Sequence, residues 1–200
     1  MPRSPTGSRR SLRIALLGFG HVGRRFAELL LGPYGRILRQ RGFEPLVTGI
    51  ATRGHGIALD ADGLALKACL CLVKKGASLG SLHQGRSLPT PVDFIRKVQA
   101  AVLVEITPLD PRTGEPALTH VRTALSRGLH VVTANKGPVA FGRRQLLALA
   151  ERKGRLFLHE GTVMDGTPIF NLAERCLPGV RVLGFRGLLN STTTRILSRM

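Results

Sequence analysis

The chain is predicted to fold as an α/β domain with a doubly wound parallel sheet, and three observations carry that prediction. A short apolar run, Leu12 to Gly18, ends in a glycine-rich turn and passes directly into apolar residues at helical spacing. Buried-type strands then alternate with amphipathic helical stretches along the chain. The resulting order, βαβ and later βαβαβ, requires crossover connections and hence a parallel sheet covered on both faces.

The elements follow in sequence. After the first strand, Val22, Phe26, Leu29 and Leu30 mark a helix, continued by a helical stretch that Gly32, Pro33 and Gly35 interrupt. Pro45 to Thr52 reads as the second strand. Gly54 to Pro91 is expected to hold a helix and an excursion inserted between strands, with Asp93 to Gln99 a short helix behind it. Ala100 to Thr107 forms a further strand, stopped by Pro108. Glu115 to Arg127 places Leu118, Val121 and Leu125 on one helical face, and Gly128 stands where a helix end favours a left-handed residue. Leu129 to Thr133 is a strand, Gly142 to Lys153 a helix closed by Gly154, and Arg155 to His159 a strand. No internal repeat appears beyond this alternation.

Composition excludes several classes of function. Hydrophobic residues make up 43% and charged residues 21%, and no apolar run nears the roughly 18 residues of a membrane span. Residues 1–11 read as a basic, disordered tail without the apolar stretch of a secretory signal, and are short for an organelle transit peptide. Cys69, Cys71 and Cys176 form neither an even disulfide set nor a metal-ligand spacing, and no H-x-x-x-H pair exists, so reduced thiols, a cytoplasmic setting and no transition-metal site are expected. The net charge of +18 raises nucleic acid as a partner. Yet the arginines are dispersed, only six of the thirty basic residues are lysine, and a single Tyr with no Trp leaves no base-stacking set, which argues against that partner.

Gly18-Phe19-Gly20-His21-Val22-Gly23 has the form G-x-G-x-x-G, closing a strand and opening a helix. In that context the first glycine makes the tight turn, the second lets pyrophosphate approach the backbone, and the third packs helix on sheet, as in the Rossmann dinucleotide fold. The free N–H groups of the helix start then face the anion. The second strand ends Ile50-Ala51-Thr52-Arg53, without the carboxylate that would bind a ribose 2′-hydroxyl, and Arg53 offers positive charge instead. NADP(H) is therefore favoured over NAD(H). The other readings are a plain tight turn, and for Arg53 a solvated loop arginine.

Val131-Val132-Thr133-Ala134-Asn135-Lys136, His159-Glu160-Gly161-Thr162-Val163 and Leu189-Asn190-Ser191-Thr192-Thr193 together resemble homoserine dehydrogenase, from about Arg13 to Met200. The resemblance implies an NAD(P)-dependent oxidoreductase of threonine, methionine and isoleucine biosynthesis that interconverts L-aspartate 4-semialdehyde and L-homoserine. Gly18, Phe19, Gly20, His21, Val22 and Gly23 of the fingerprint, with Arg53, are the expected cofactor contacts, and the resemblance adds Thr107, Asn135 and Lys136. Lys136 is the expected catalytic residue, its cation stabilising the substrate oxygen as hydride moves. Glu160, Gly166, Asn190 and Thr192 are expected on the substrate side. Glu160 to Pro168 matches the family's E-A-S-V-G-G-G-x-P turn, with Met164 and Asp165 in place of small residues. In some members the backbone of that turn, here Glu160, Val163, Asp165 and Thr167, holds Na+ or K+. For Lys136 a surface lysine, and for Glu160 a strand-end carboxylate neutralised by arginines, remain the other readings.

The expected organisation is a basic tail over 1–11, a Rossmann-type cofactor domain over 12–160, and the opening of an α+β catalytic and dimerisation domain over 161–200, its sheet beginning near Val180 to Leu189. In the family that second domain is much longer, mediates a homodimer, and carries an acidic substrate segment and a second lysine. Neither motif precedes Met200. The chain is thus expected to be a fragment with little or no turnover of its own. A non-catalytic NAD(P)-binding sensor or remnant is the alternative.

Overall fold

The computed structural model describes residues 9–164, 166–187, 195 and 197–199. Its sheet has six strands: β1 (Arg10–Leu17), β2 (Phe43–Ala51), β3 (Ile57–Leu59), β4 (Val102–Glu105), β5 (His130–Thr133) and β6 (Phe157–Leu158), ordered β3-β2-β1-β4-β5-β6. All neighbours are parallel except β2 and β3. The main helices are α1 (His21–Leu31), α2 (Pro33–Gln40), α3 (Leu66–Lys74), α4 (Pro91–Lys97), α5 (Ala117–Arg127) and α6 (Lys136–Arg152).

Alternation along β1 divides the core into two layers. Ala15 and Leu17 pack with Phe94, Ile95, Val121, Leu125 and Leu146 beneath α4, α5 and α6. Ile14 and Leu16 pack on the opposite face with Ala27, Leu30, Cys69 and Val73 of α1 and α3. Both faces of a central parallel strand are thereby buried, which is why the strand residues are apolar almost without interruption.

Several boundaries differ from the sequence expectation. Strand β1 begins at Arg10, two residues inside the expected tail, because Phe43 and Glu44 offer Arg10 and Ser11 a parallel partner. The insertion carries β3, three residues that return antiparallel after a loop at 52–56 and were too short to register as a period-two pattern. Helix α6 begins at Lys136, six residues earlier than expected. Asn135 caps it through its side-chain oxygen on the Gly137 N–H, and Pro138 sits in the first turn, where a missing N–H costs little. Residues 180–187 carry no regular element, and Val180, Val182, Leu183 and Phe185 stand exposed. A strand needs a neighbour for its backbone, and none of the described residues supplies one there. The Asn190-to-Thr193 motif lies outside the described residues, as do residues 1–8 and Asp165.

One irregularity at the centre of the sheet was invisible in sequence. Between Ile14 and Ala15 the β1–β2 register slips, leaving Thr48 as an extra residue on β2. Its hydroxyl, in a residue 1% exposed, donates to the Gln99 carbonyl at 2.8 Å and so ties the bulge to the approach of β4. Thr48→Val keeps the shape and removes that donor. It should lower unfolding free energy by about 1–3 kcal/mol, the cost of an unpaired buried carbonyl, measured by urea denaturation.

Candidate functional site

The sheet order reverses direction between β1 and β4, and open α/β sheets bind ligands at such a crevice beyond the carboxyl ends of their strands. A cavity of about 1240 Å³ lies there. Gly18, Phe19 and Gly20 of the turn after β1, Arg53 after β2, and Thr107 and Pro108 after β4 all line it. The crevice therefore brings together the phosphate turn, the 2′-position residue and the β4 loop that the sequence analysis singled out.

Each glycine of the turn has a different physical reason. Gly18 has φ of +104°, and a Cβ there would lie 2.5 Å from the Ile106 carbonyl oxygen. A Cβ on Gly23 would meet the Gly18 carbonyl oxygen at 2.8 Å, so this glycine lets α1 press on the turn. Gly20 has nothing within 4 Å of its Cβ position. Packing of the chain does not require a glycine there, whereas a group approaching the backbone from the cavity does. No side chain caps α1 and no acid occupies its first turn, so its leading N–H groups are left for an anion. Phe19 is buried in the core under the turn, while His21 and Val22 are exposed on the first turn of α1, outside the cavity lining.

Arg53 is exposed in the β2–β3 loop, with no ionic or hydrogen-bonded partner among the described residues. The loop around it is held by its neighbours. The Thr52 hydroxyl accepts the His55 N–H at 2.7 Å, and the Leu79 N–H donates to the His55 carbonyl at 2.8 Å. An unpaired guanidinium on a fixed loop at the cavity wall suits a phosphate.

Asn135 is buried, and both ends of its amide bond to the chain. Its oxygen caps α6, and its Nδ2 donates to the carbonyl oxygens of Thr107 at 3.0 Å and Pro108 at 3.4 Å. It links the β4 loop to the start of α6, where Lys136 is exposed outside the cavity lining, with no partner among the described residues. A lysine opening a 17-residue helix with no acid in its first turn opposes the helix dipole, by about 0.3–1 kcal/mol; an anionic ligand would reverse the sign.

The substrate-side residues are arranged differently from one another. The Glu160 carboxylate accepts the N–H groups of Phe170 at 2.9 Å and Asn171 at 3.1 Å, and the Asn171 side-chain Nδ2 at 2.7 Å. It thereby holds the helical turn at 169–176. Gly166 is exposed beside it. Met164 has φ of +53°, the left-handed conformation, at the place where the family turn carries glycine. Of the backbone positions expected around a monovalent cation, Glu160, Val163 and Thr167 are described and Asp165 is not.

Two residues at the site were missed. Glu105, at the end of β4, is completely buried, and burial pushes its carboxyl above the usual glutamate range, against the pull of hydrogen bonds from Thr107, Thr133 and Asn135. The signal was a single acid inside an apolar strand, a placement seldom left unpaired. His120 of α5, 3% exposed, lines the cavity with its Nδ1 unpartnered among the described residues, and burial lowers its pKa while Glu115 pulls it up. Its position on the apolar face shared with Ala117, Val121 and Ala124 could have found it.

The turn, the crevice and the strand order define a dinucleotide-binding domain of the Rossmann type. The family model described as "Homoserine dehydrogenase, NAD binding domain" matches residues 18–160, and the chain belongs to the homoserine dehydrogenase family. It is 38% identical to homoserine dehydrogenase of Methanocaldococcus jannaschii, covering 94% of this chain and 55% of that protein. It is 35% identical to an NAD(+)-dependent homoserine dehydrogenase of Pseudomonas canavaninivorans, covering 94% and 53%. The chain thus spans about half the length of these curated relatives. Among solved structures, a hyperthermophilic archaeal homoserine dehydrogenase mutant in complex with NADPH superposes with a TM-score of 0.71 at 27% identity, over 85% of this chain and 50% of the other. For homoserine dehydrogenase of Thiobacillus denitrificans the values are 0.70 and 29%, over 96% and 39%. Among the described residues no helix is long and apolar enough to cross a membrane.

The contrast between two glycines gives a clean expectation. Gly20→Ala should unfold at the temperature of the unmodified chain yet bind NADPH at least tenfold more weakly, because its methyl group enters the path of the pyrophosphate. Gly18→Ala should instead lose stability outright, by more than about 2 kcal/mol, from a left-handed φ and a clash with backbone. Thermal melts with and without NADPH separate the two cases.

Proposed function

We propose that the chain is the cofactor half of a homoserine dehydrogenase that binds NADP(H) in preference to NAD(H) and interconverts L-aspartate 4-semialdehyde and L-homoserine. The observation that carries this reading is the meeting of Gly20, Arg53 and Thr107 around one cavity in a chain of this family. The fit to the cofactor rests on the open Cβ position of Gly20, the uncapped start of α1 and the unpaired Arg53. Relatives are named both as NAD(+)-dependent and as bound to NADPH, and the absence of an acid at the end of β2 favours the phosphorylated cofactor here.

When bound, the nicotinamide supplies or receives the hydride. The chain's own part is to hold and to polarise. N–H groups at the start of α1 bind pyrophosphate, Arg53 pairs with the 2′-phosphate, and the Asn135 bridge fixes the β4 loop against the start of α6. From there Lys136 stabilises negative charge on the substrate oxygen as the aldehyde becomes an alcohol. By resemblance, the family's acidic substrate segment and a second lysine near the proton-transfer step lie in its longer second domain. A homodimer formed through that second half, a cytoplasmic setting and a monovalent cation at the 160–168 turn belong to the same reading and rest on resemblance. A non-catalytic NAD(P)-binding sensor or remnant that keeps the fingerprint is the second reading.

Arg53→Ala should weaken NADPH by about ten- to a hundredfold, the worth of a charge-assisted phosphate contact, and leave NADH nearly unchanged in a fluorescence titration. Equal losses for both cofactors would refute the role. Turnover is read as NADPH oxidation with aspartate 4-semialdehyde, in the chain alone and in a protein carrying the downstream half. Activity is expected in the longer protein, with Lys136→Ala lowering kcat by about 10²-fold or more. NADPH binding without turnover in the longer protein would favour the second reading.

A further inference from the structure

The sheet encloses one carboxylate that the cofactor reading leaves unused. Glu105 is paired in register with Leu17 of β1 and Thr133 of β5, and none of its surface is exposed. An enclosed carboxylate is costly unless donors occupy its lone pairs, and here they do. The Thr107 N–H donates to Oε1 at 2.9 Å, and the Thr107 hydroxyl donates to the same oxygen. The Thr133 hydroxyl donates to Oε2 at 2.8 Å, while its oxygen accepts the Asn135 N–H at 3.0 Å.

The direction of the Thr107 hydroxyl follows from this. A threonine hydroxyl has one proton and two lone pairs, and Oε1, which already accepts the Thr107 N–H, has only lone pairs to offer. The proton therefore turns inward, to Glu105. What Thr107 offers the cavity it lines is an acceptor. Its main chain cannot swing away to change that, since its carbonyl is held by Asn135 Nδ2 at 3.0 Å.

Resting on the dinucleotide reading, we propose that Glu105 is a positioning residue of the cofactor cavity: it holds the Thr107 hydroxyl proton, so that Thr107 accepts a hydrogen bond from an N–H or O–H group of the bound nicotinamide dinucleotide. Glu105 itself does not touch the ligand. Without an acceptor at this position, the hydroxyl rotates freely and meets a ligand donor in the wrong sense for part of its time. The contact is made to a part of the ligand shared by both cofactors, unlike that of Arg53.

The test is a double-mutant cycle read by fluorescence titration with NADPH and with NADH. Glu105→Met, which removes the acceptor, should weaken both cofactors by about three- to tenfold, the worth of one hydrogen bond. Glu105→Gln, which can keep a carbonyl oxygen toward Thr107, should retain the affinity of the unmodified chain. Thr107→Val should show the loss of Glu105→Met, and adding Glu105→Met to Thr107→Val should cost nothing further. A purely structural role predicts equal added losses in both backgrounds, and that result overturns the proposal. So does full affinity in Glu105→Met. Should Glu105→Met fail to fold, Thr107→Val decides: unchanged affinity overturns the proposal, and a loss in both cofactors upholds the acceptor. Failure of the unmodified chain to bind either cofactor would instead refute the dinucleotide reading itself.

Discussion

The contact of the Gly18 backbone with that of Ile106 is the constraint on which the rest of the cavity depends. Because no side chain separates them, the turn after β1 sits directly against the end of β4. Gly23 repeats the device one turn later by letting α1 press on Gly18. These two approaches fix where α1 begins beside the crevice, with no side chain capping its first N–H groups. A residue with a Cβ at either point would push the helix start away from β4, and the Thr107 loop and the phosphate turn would no longer face one cavity.

A second device crosses the crevice on the other side. Glu105 gathers Thr107 and Thr133, and Asn135 joins the Thr107 carbonyl to the start of α6. The paired ends of β4 and β5 are thus cross-linked by side chains as well as by the ladder. The ligand edge is held by this polar network at the point where the apolar core gives out. Lys136 owes its position to that network, since it follows Asn135 in the chain.

The sequence disclosed the parts whose signal is periodic or local. Strands β1, β2, β4 and β5 are apolar runs bounded by turn residues, and α1 and α5 show a clear apolar stripe, so their places were legible within a few residues. Gly128 has φ of +89°, as its position after α5 suggested. What escaped notice depends on pairing between distant segments. Strand β3 has only three residues and exists because β2 offers an edge; the Thr48 bulge is defined by register against β1. The first turn of α6 carries little local helical signal, since Gly137 and Pro138 are the two poorest helix-forming residue types. At the site, Gly18, Gly20, Arg53 and Thr107 all line one cavity. Asn135 had been read for its position in T-A-N-K, and the tertiary bonds that occupy its amide could not be seen from there. The roles of Glu105 and His120 follow from enclosure, which no local pattern states.

The uncovered residues at 180–187 bear on how the chain behaves as a solute. Leu183 and Phe185 are 87% and 83% exposed, with Val180 and Val182 beside them. Sticky surface of this kind draws molecules together, while a formal charge of +18 drives them apart. Colloidal repulsion of that sort reaches only about one Debye length, roughly 10 Å at 0.1 M salt and near 3 Å at 1 M. Added electrolyte therefore shifts the balance toward self-association, and the dispersed arginines act as a solubilising coat whose strength is set by the buffer.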